Sequence, residues 1–150
     1  MIFEFGHQKV DIDVERTRQF YHGATEISCT CDGCVNFVKA VDVPPAPVKT
    51  FFDDLGIDLK KAAEIYIGYQ NDDGSLLYLG FCHVCGIILD GDSFWGVLAQ
   101  KGNDPFRVSP NFMVHFHNDI SLLERNFPKP VIQLEFDARI PWVLDKPCDY

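Results

Sequence analysis

The sequence predicts one mainly β domain, α+β by count: an antiparallel β-sandwich or barrel with two or three short helices packed at one end. Three observations carry that expectation. Apolar residues alternate with polar ones in three separate segments, which is the period of strands with one face on a core and one in water. A long apolar run follows a hairpin-type turn, Asn71-Asp72-Asp73-Gly74. Helical spacing, by contrast, extends over two turns in only two places.

The elements follow in chain order. Val10, Ile12 and Val14 alternate with Asp11, Asp13 and Glu15, a half-buried strand. Thr25 to Cys31 reads as a second strand, with Ile27, Cys29 and Cys31 on one face. A helix capped by Asp32 carries Cys34, Phe37, Val38 and Val41 on one side and stops before Pro44. After prolines 44, 45 and 47, Val48, Phe51, Phe52 and Leu55 mark a second helical face, ended by Gly56. Glu64 to Gln70 and Leu76 to Leu89 form the hairpin around Asn71–Gly74. The latter run is apolar on both faces and belongs in the centre of a covered sheet. Gly91 to Ser93 turns the chain into a strand at Phe94 to Gln100. Phe112, Val114 and Phe116 alternate with Met113, His115 and His117, as do Ile132, Leu134 and Phe136 with Gln133, Glu135 and Asp137. Between them Ser121-Leu122-Leu123-Glu124 has capping-box spacing, and Pro128 holds that helix to under two turns.

Residues 1–150 fit one domain without linker or repeat. A chain of this size buries roughly 68–70% of its unfolded surface, so its core needs no disulfides. Its 47% hydrophobic and 23% charged residues are those of a globular protein. A formal net charge of −9 repels phosphate backbones and anionic lipid heads, which argues against nucleic-acid and membrane-surface partners. A homo-oligomer is compatible with the composition. The N-terminal segment lacks a basic region followed by an apolar run, and no stretch approaches the roughly 18 apolar residues of a spanning helix. The expected setting is cytoplasmic, with reduced thiols.

In that setting the six cysteines are metal ligands, redox groups or core packing. Cys29-x-Cys31-x-x-Cys34 brings three sulfurs to one strand-to-helix corner, where core packing is the bland reading and zinc is the cofactor the sulfurs could hold. The helix N-terminus favours thiolates there. Cys82-His83-Val84-Cys85-Gly86 adds a second Cys-x-x-Cys pair, and the two pairs together could give four sulfurs. Strand periodicity opposes this: in a continuous strand Cys82 and Cys85 point to opposite faces. A redox site would require a βαβ pattern that is missing.

His115-x-His117 puts two imidazoles on one strand face, and with Glu124 it resembles the His-x-His…Glu ligand set of cupin barrels. The gap to Glu124 is longer than in that family, and its second motif is missing. The bland alternative is the polar side of a half-exposed strand. Asp72-Asp73-Gly74 and Asp90-Gly91-Asp92 fit turns better than cation sites. Trp95 and Trp142 are assigned to the core.

The run Cys29-Thr30-Cys31-Asp32-Gly33-Cys34-Val35-Asn36-Phe37, with Leu55-Gly56-Ile57-Asp58 and Tyr78-x-Gly80-x-x-His83-x-x-Gly86, resembles a family of short bacterial proteins of unassigned function. The resemblance covers about residues 20–90 and implies no activity. It directs attention to Cys29, Cys31, Cys34, Asn36 and His83, and away from Cys82 and Cys85 as shared ligands. The sequence contains no phosphate-cradling glycine loop, no Gly-x-Ser-x-Gly elbow and no His-Glu-x-x-His, so no residue is given a catalytic role. The expectation is a non-enzymatic binding or interaction domain with a structural cysteine corner that is either packed or able to hold zinc. The alternative is a metal-dependent enzyme with its site at that corner or at His115/His117, which requires an open pocket beside those residues.

Overall fold

The structure is a computed structural model and describes residues 1–43, 46–91 and 105–150. The elements are β1 (Ile2–Phe5), β2 (Gln8–Ile12), α1 (Val14–Gly23), α2 (Asp32–Ala40), α3 (Ala46–Leu55), a 3-10 turn (Leu59–Lys61), β3 (Glu64–Gln70), β4 (Leu76–Asp90), β5 (Phe106–Ser109), β6 (Phe112–His117) and β7 (Val131–Ile140). The mainly antiparallel β architecture expected from the sequence is present. The seven strands form one open sheet in the order β1-β2-β4-β7-β6-β5, with β3 also on β4. The sheet does not close, so the barrel alternative is set aside. The strand expected at Phe94 to Gln100, the turn into it and Trp95 lie outside the described residues.

β4 is the spine. Its 15 residues are apolar on both faces because both are covered along most of its length. β7 pairs with it from Leu76 to Cys85. On the other edge β3 covers Leu76 to Phe81 and β2 covers Gly86 to Asp90. The backbones approach so closely that a Cβ at Gly80 would meet the Glu64 carbonyl, and one at Gly86 the Asp11 carbonyl.

That leaves a gap between β3 and β2, at residues 82–85, and α1 fills it with side chains. The Tyr21 hydroxyl accepts the His83 N–H at 3.1 Å and donates to the His83 carbonyl at 2.7 Å. Thr17 Oγ1 accepts the Cys85 N–H at 3.1 Å, and the Asp13 N–H reaches the Cys85 carbonyl at 2.8 Å. The edge is satisfied without a strand. This helix corrects the strand expected through Val14 and Glu15. β2 stops at Ile12, and the Asp13 carboxylate caps α1 by accepting the Arg16 N–H. Thr17 and Tyr21, four apart on one helical face, are the buried residues of α1.

Cross-strand register divides the sheet into two faces. Tyr78, Cys82 and Val84 of β4 line up with Ala138, Leu134 and Ile132 of β7, and Phe112, Val114 and Phe116 of β6 extend the same face. α2 and α3 cover it: Phe37 stacks near Phe136 at 6.0 Å and tilts on Tyr78 at 5.2 Å, and Phe52 meets Phe112 at 5.4 Å. The opposite face carries Phe81, His83, Gln133, Glu135, His115 and His117. Alternation in β6 and β7 predicts that their part of this face lies in water. Instead His115 and His117 are 5% and 3% exposed, and His83 beside them is fully buried, as expected of a covered central strand. The segment joining β6 to β7 lies against it, with Phe127 edge-on to His83 and the Ser121 N–H donating to Gln133.

Two further expectations are corrected. Thr25 to Cys31 is not a strand but an irregular segment leading into α2. Ser121 to Glu124 is not a helix either. Leu122 and Asn126 adopt left-handed backbone, and the Glu124 carboxylate is drawn to His83 rather than closing a capping box. No helix among the described residues is long and apolar enough to cross a membrane.

Candidate metal centre and its cleft

The cysteine corner is built by the start of α2. Cys31, not Asp32, is the N-cap residue: its Sγ accepts the Cys34 N–H at 3.4 Å. Asp32 is the first helical residue and pairs with Lys146 at 3.0 Å. Cys29 Sγ lies 3.3 Å from Cys31 Sγ, and the sulfurs of Cys29, Cys31 and Cys34 all fall within 4.8 Å of one another. Zinc–sulfur bonds of about 2.3 Å put the sulfurs of a tetrahedral site about 3.8 Å apart, so the corner needs only small rotations to hold an ion. Cys29 and Cys31 are exposed and Cys34 is buried.

The three thiols are unequal. The Cys31 thiol is lowered, chiefly by the Cys34 backbone N–H, with burial opposing and bonds from Cys29, Cys34 and Tyr150 assisting. Cys34 is raised, first by burial and then by the neighbouring sulfurs. The corner therefore favours one thiolate on Cys31. A cation would lower the others, as a coordinated thiol is deprotonated.

The C-terminal segment completes the corner. The Tyr150 hydroxyl accepts the Gly33 N–H at 3.0 Å. Fully buried Asn36 ties that segment to α2: its amide nitrogen donates to the Pro141 carbonyl and the Tyr78 hydroxyl, and its oxygen accepts the Val143 N–H at 2.7 Å. Trp142 packs against the core edge nearby and donates to the Lys146 carbonyl.

A cleft of about 900 Å³ opens beside the corner. Cys29, Cys31 and Cys34 line one part of it, and Phe20, Ile65 and Glu124 line others. Glu124 Oε2 lies 2.6 Å from His83 Nδ1, and its Oε1 is buried without a hydrogen-bond partner among the described residues. His83 Nε2 lies 3.1 Å from Gln133 Oε1, which also accepts the Ser121 N–H. Gln133 Nε2 donates to Glu135 Oε1 at 3.0 Å. That arrangement makes Gln133 Oε1 an acceptor, so His83 Nε2 must carry a proton. Its Nδ1 then shares one further proton with the Glu124 carboxyl.

This row of hydrogen-bonded side chains continues to the expected histidines. His117 Nε2 lies 2.8 Å from Glu135 Oε1. A ligand atom from each of His115, His117 and Glu135 falls within 4.8 Å of the others. Burial pushes His115 down to about 4, against the Glu135 charge and with help from His117 and His7. Burial raises the Glu135 carboxyl, but the His117 bond and charge and the Gln133 amide outweigh it and leave it lowered.

The structure thus brings Cys29, Cys31 and Cys34 together, and places His83 on the far side of Glu124 from the cleft. It does not bring Cys82 or Cys85 to either ligand group. Both are buried in continuous β4, Cys82 opposite Leu134 on the core face and Cys85 on the other, and burial raises both thiols. The carboxylate beside His115 and His117 is Glu135, not Glu124. Sequence reasoning missed Gln133, Glu135, Tyr21 and Tyr150. For the first two the signal was their place on the polar side of β7, readable only once His115 was known to oppose Glu135. Comparison with family models, curated proteins and solved structures gives no significant match.

Proposed function

We propose that this chain is a metal-binding β domain whose thiolate corner holds zinc on the wall of an open cleft and offers it to a small ligand. One observation carries the reading: three sulfurs within 4.8 Å of one another line a cleft of about 900 Å³, and two of the three cysteines are exposed. A closed structural knuckle has four protein ligands. Among the described residues only three metal-ligating groups converge here, which favours a position left for water or ligand. A zinc ion held this way polarises whatever takes that position. The resemblance to short bacterial proteins of unassigned function draws on the same cysteines and on His83, and membership of that group is part of the proposal.

Glu124 favours a second reading, a metal-dependent enzyme. It shares the cleft with the cysteines, and buried His83 fixes its orientation. A carboxylate so placed can take a proton from a group bound in the cleft, with His83 stabilising the resulting state.

The test is metal content and thiol accessibility measured together on reduced protein. Thiolate-bound zinc is expected, with Cys29, Cys31 and Cys34 protected from alkylation until a chelator is added. Cys31→Ser should release the metal. Reduced protein that takes up no zinc, with thiol labelling unchanged by the ion, would overturn the reading. The enzyme reading adds that Glu124→Gln keeps zinc and loses turnover; loss of zinc instead would make Glu124 a ligand.

A further inference from the structure

A second ligand group lies on a different element and has different chemistry. His115 and His117 sit two apart on β6, so they share a face, and Glu135 of β7 is directly opposite His115 in register. One nitrogen or oxygen atom from each falls within 4.8 Å of the others. We propose that His115, His117 and Glu135 form a second metal site, for a divalent cation that prefers nitrogen and oxygen ligands, separate from the thiolate corner.

Three features support it. The ligands stand on hydrogen-bonded strands rather than loops, which fixes their backbone positions. Donor atoms around one ion at about 2.1 Å lie about 3.0–3.5 Å apart, a spacing this group reaches by side-chain rotation. The group is buried, with His115 5% and His117 3% exposed, so an ion there would be shielded from bulk water. His117 Nε2 already lies 2.8 Å from Glu135 Oε1, so an ion bound between that nitrogen and the carboxylate takes the place of one existing contact and displaces the proton it holds.

The surroundings suit a ligand set. Gln133 donates to Glu135 and is itself held by His83 and Ser121. Such outer contacts fix ligand orientation, and their loss typically costs about 10–100-fold in affinity. Two imidazoles and one carboxylate suit Fe²⁺, Mn²⁺, Co²⁺ or Zn²⁺ and leave coordination positions open. Thiolates at the other site prefer softer ions, so the two sites differ in selectivity. This inference does not rest on the cysteine corner, and its test removes that corner.

The experiment is a Co²⁺ titration of the reduced full-length chain carrying Cys29→Ser, Cys31→Ser and Cys34→Ser together. One Co²⁺ per chain is expected, with ligand-field absorption and no sulfur-to-cobalt charge-transfer band. Adding Glu135→Gln, which keeps the neutral contacts to His117 and Gln133, should weaken binding by about tenfold or more. His115→Gln should do the same. A second measurement needs no substitution: in the wild-type chain, Co²⁺ should shift and broaden the imidazole NMR signals of His115 and His117, beyond any effect on His22. No Co²⁺ uptake by the serine variant would overturn the proposal. So would uptake insensitive to Glu135→Gln, or wild-type imidazole signals unmoved at saturating Co²⁺.

Discussion

Replacing Tyr21 by phenylalanine tests the most unusual device in the fold, the use of a helix to close a gap in the sheet. The ring packs beside Phe20 and Phe127, and phenylalanine keeps those contacts. Only the hydroxyl is lost. It serves two groups of one residue, the His83 N–H at 3.1 Å and the His83 carbonyl at 2.7 Å. Both lie in the interior, where Tyr21 is 2% and His83 0% exposed, so water does not replace the hydroxyl. Each buried backbone group left unpaired costs about 1–3 kcal/mol, and some relaxation is open to the pair, so Tyr21→Phe should destabilise by about 2–4 kcal/mol. At about 2–4 °C per kcal/mol for a chain of this size, the midpoint falls by about 4–16 °C. Urea unfolding followed by circular dichroism measures this, with the denaturant slope unchanged because the native surface is the same. Hydrogen exchange at the His83 amide should speed up by more than at its neighbours. A loss below about 0.5 kcal/mol would refute the reasoning, since a hydroxyl that closes a sheet edge cannot be that cheap to remove.

Three other outcomes follow from the same geometry. Asn36→Leu strands the Val143 N–H and the Pro141 carbonyl and should cost about 2–4 kcal/mol, measured by urea unfolding; a neutral effect would mean that the C-terminal segment is not held by α2. In metal-free reduced protein, iodoacetamide at neutral pH should label Cys31 ahead of Cys34, because the first thiol is lowered and the second raised; mass mapping reads the order, and equal rates would contradict it. Buried His115 titrates near 4 in the folded metal-free chain against 6.5 for the free side chain, so the unfolded state binds the extra proton between those values. Stability is therefore full above pH 6.5 and falls by about 3 kcal/mol as the pH drops to 4, and His115→Gln should flatten that window; an unchanged slope would place His115 in water.

How much was legible in the sequence depended on whether the signal was local. β4, β6 and β7 were readable because side-chain period is a property of a few adjacent residues, and α3 because its four buried residues repeat at helical spacing. The start of α1 is hidden because the alternation of Val10 to Glu15 runs on past the end of β2 at Ile12, and only the Asp13 cap marks the change. Cys29, Cys31 and Cys34 could be grouped from spacing alone, since they fall within six residues of chain. The histidine and carboxylate group could not. Glu135 is 18 residues from His117, and its proximity follows from register between β6 and β7, which no local pattern encodes. Glu124 shows the reverse error: a capping-box pattern was complete in sequence, but tertiary contact with His83 outbid it.

The hydrogen-bonded file from Glu124 through His83, Gln133 and Glu135 to His117 links the cleft to the buried histidines, and Gln133 decides what can pass along it. An amide has one accepting and one donating end and does not ionise. Its oxygen faces His83 Nε2 and the Ser121 N–H; its nitrogen faces the Glu135 carboxylate. Flipping it would set the NH₂ against two donors and the oxygen against an anion, so the orientation is locked. His83 is then held with a proton on Nε2, and Glu135 is held as an acceptor toward His117. A proton arriving at Glu124 can move onto His83 but cannot cross Gln133. The two ends are therefore coupled through orientation and not through proton transfer. Gln133→Glu would remove that insulation by placing a third ionisable group between His83 and Glu135, and the buried face would then carry two adjacent carboxyls competing for one proton.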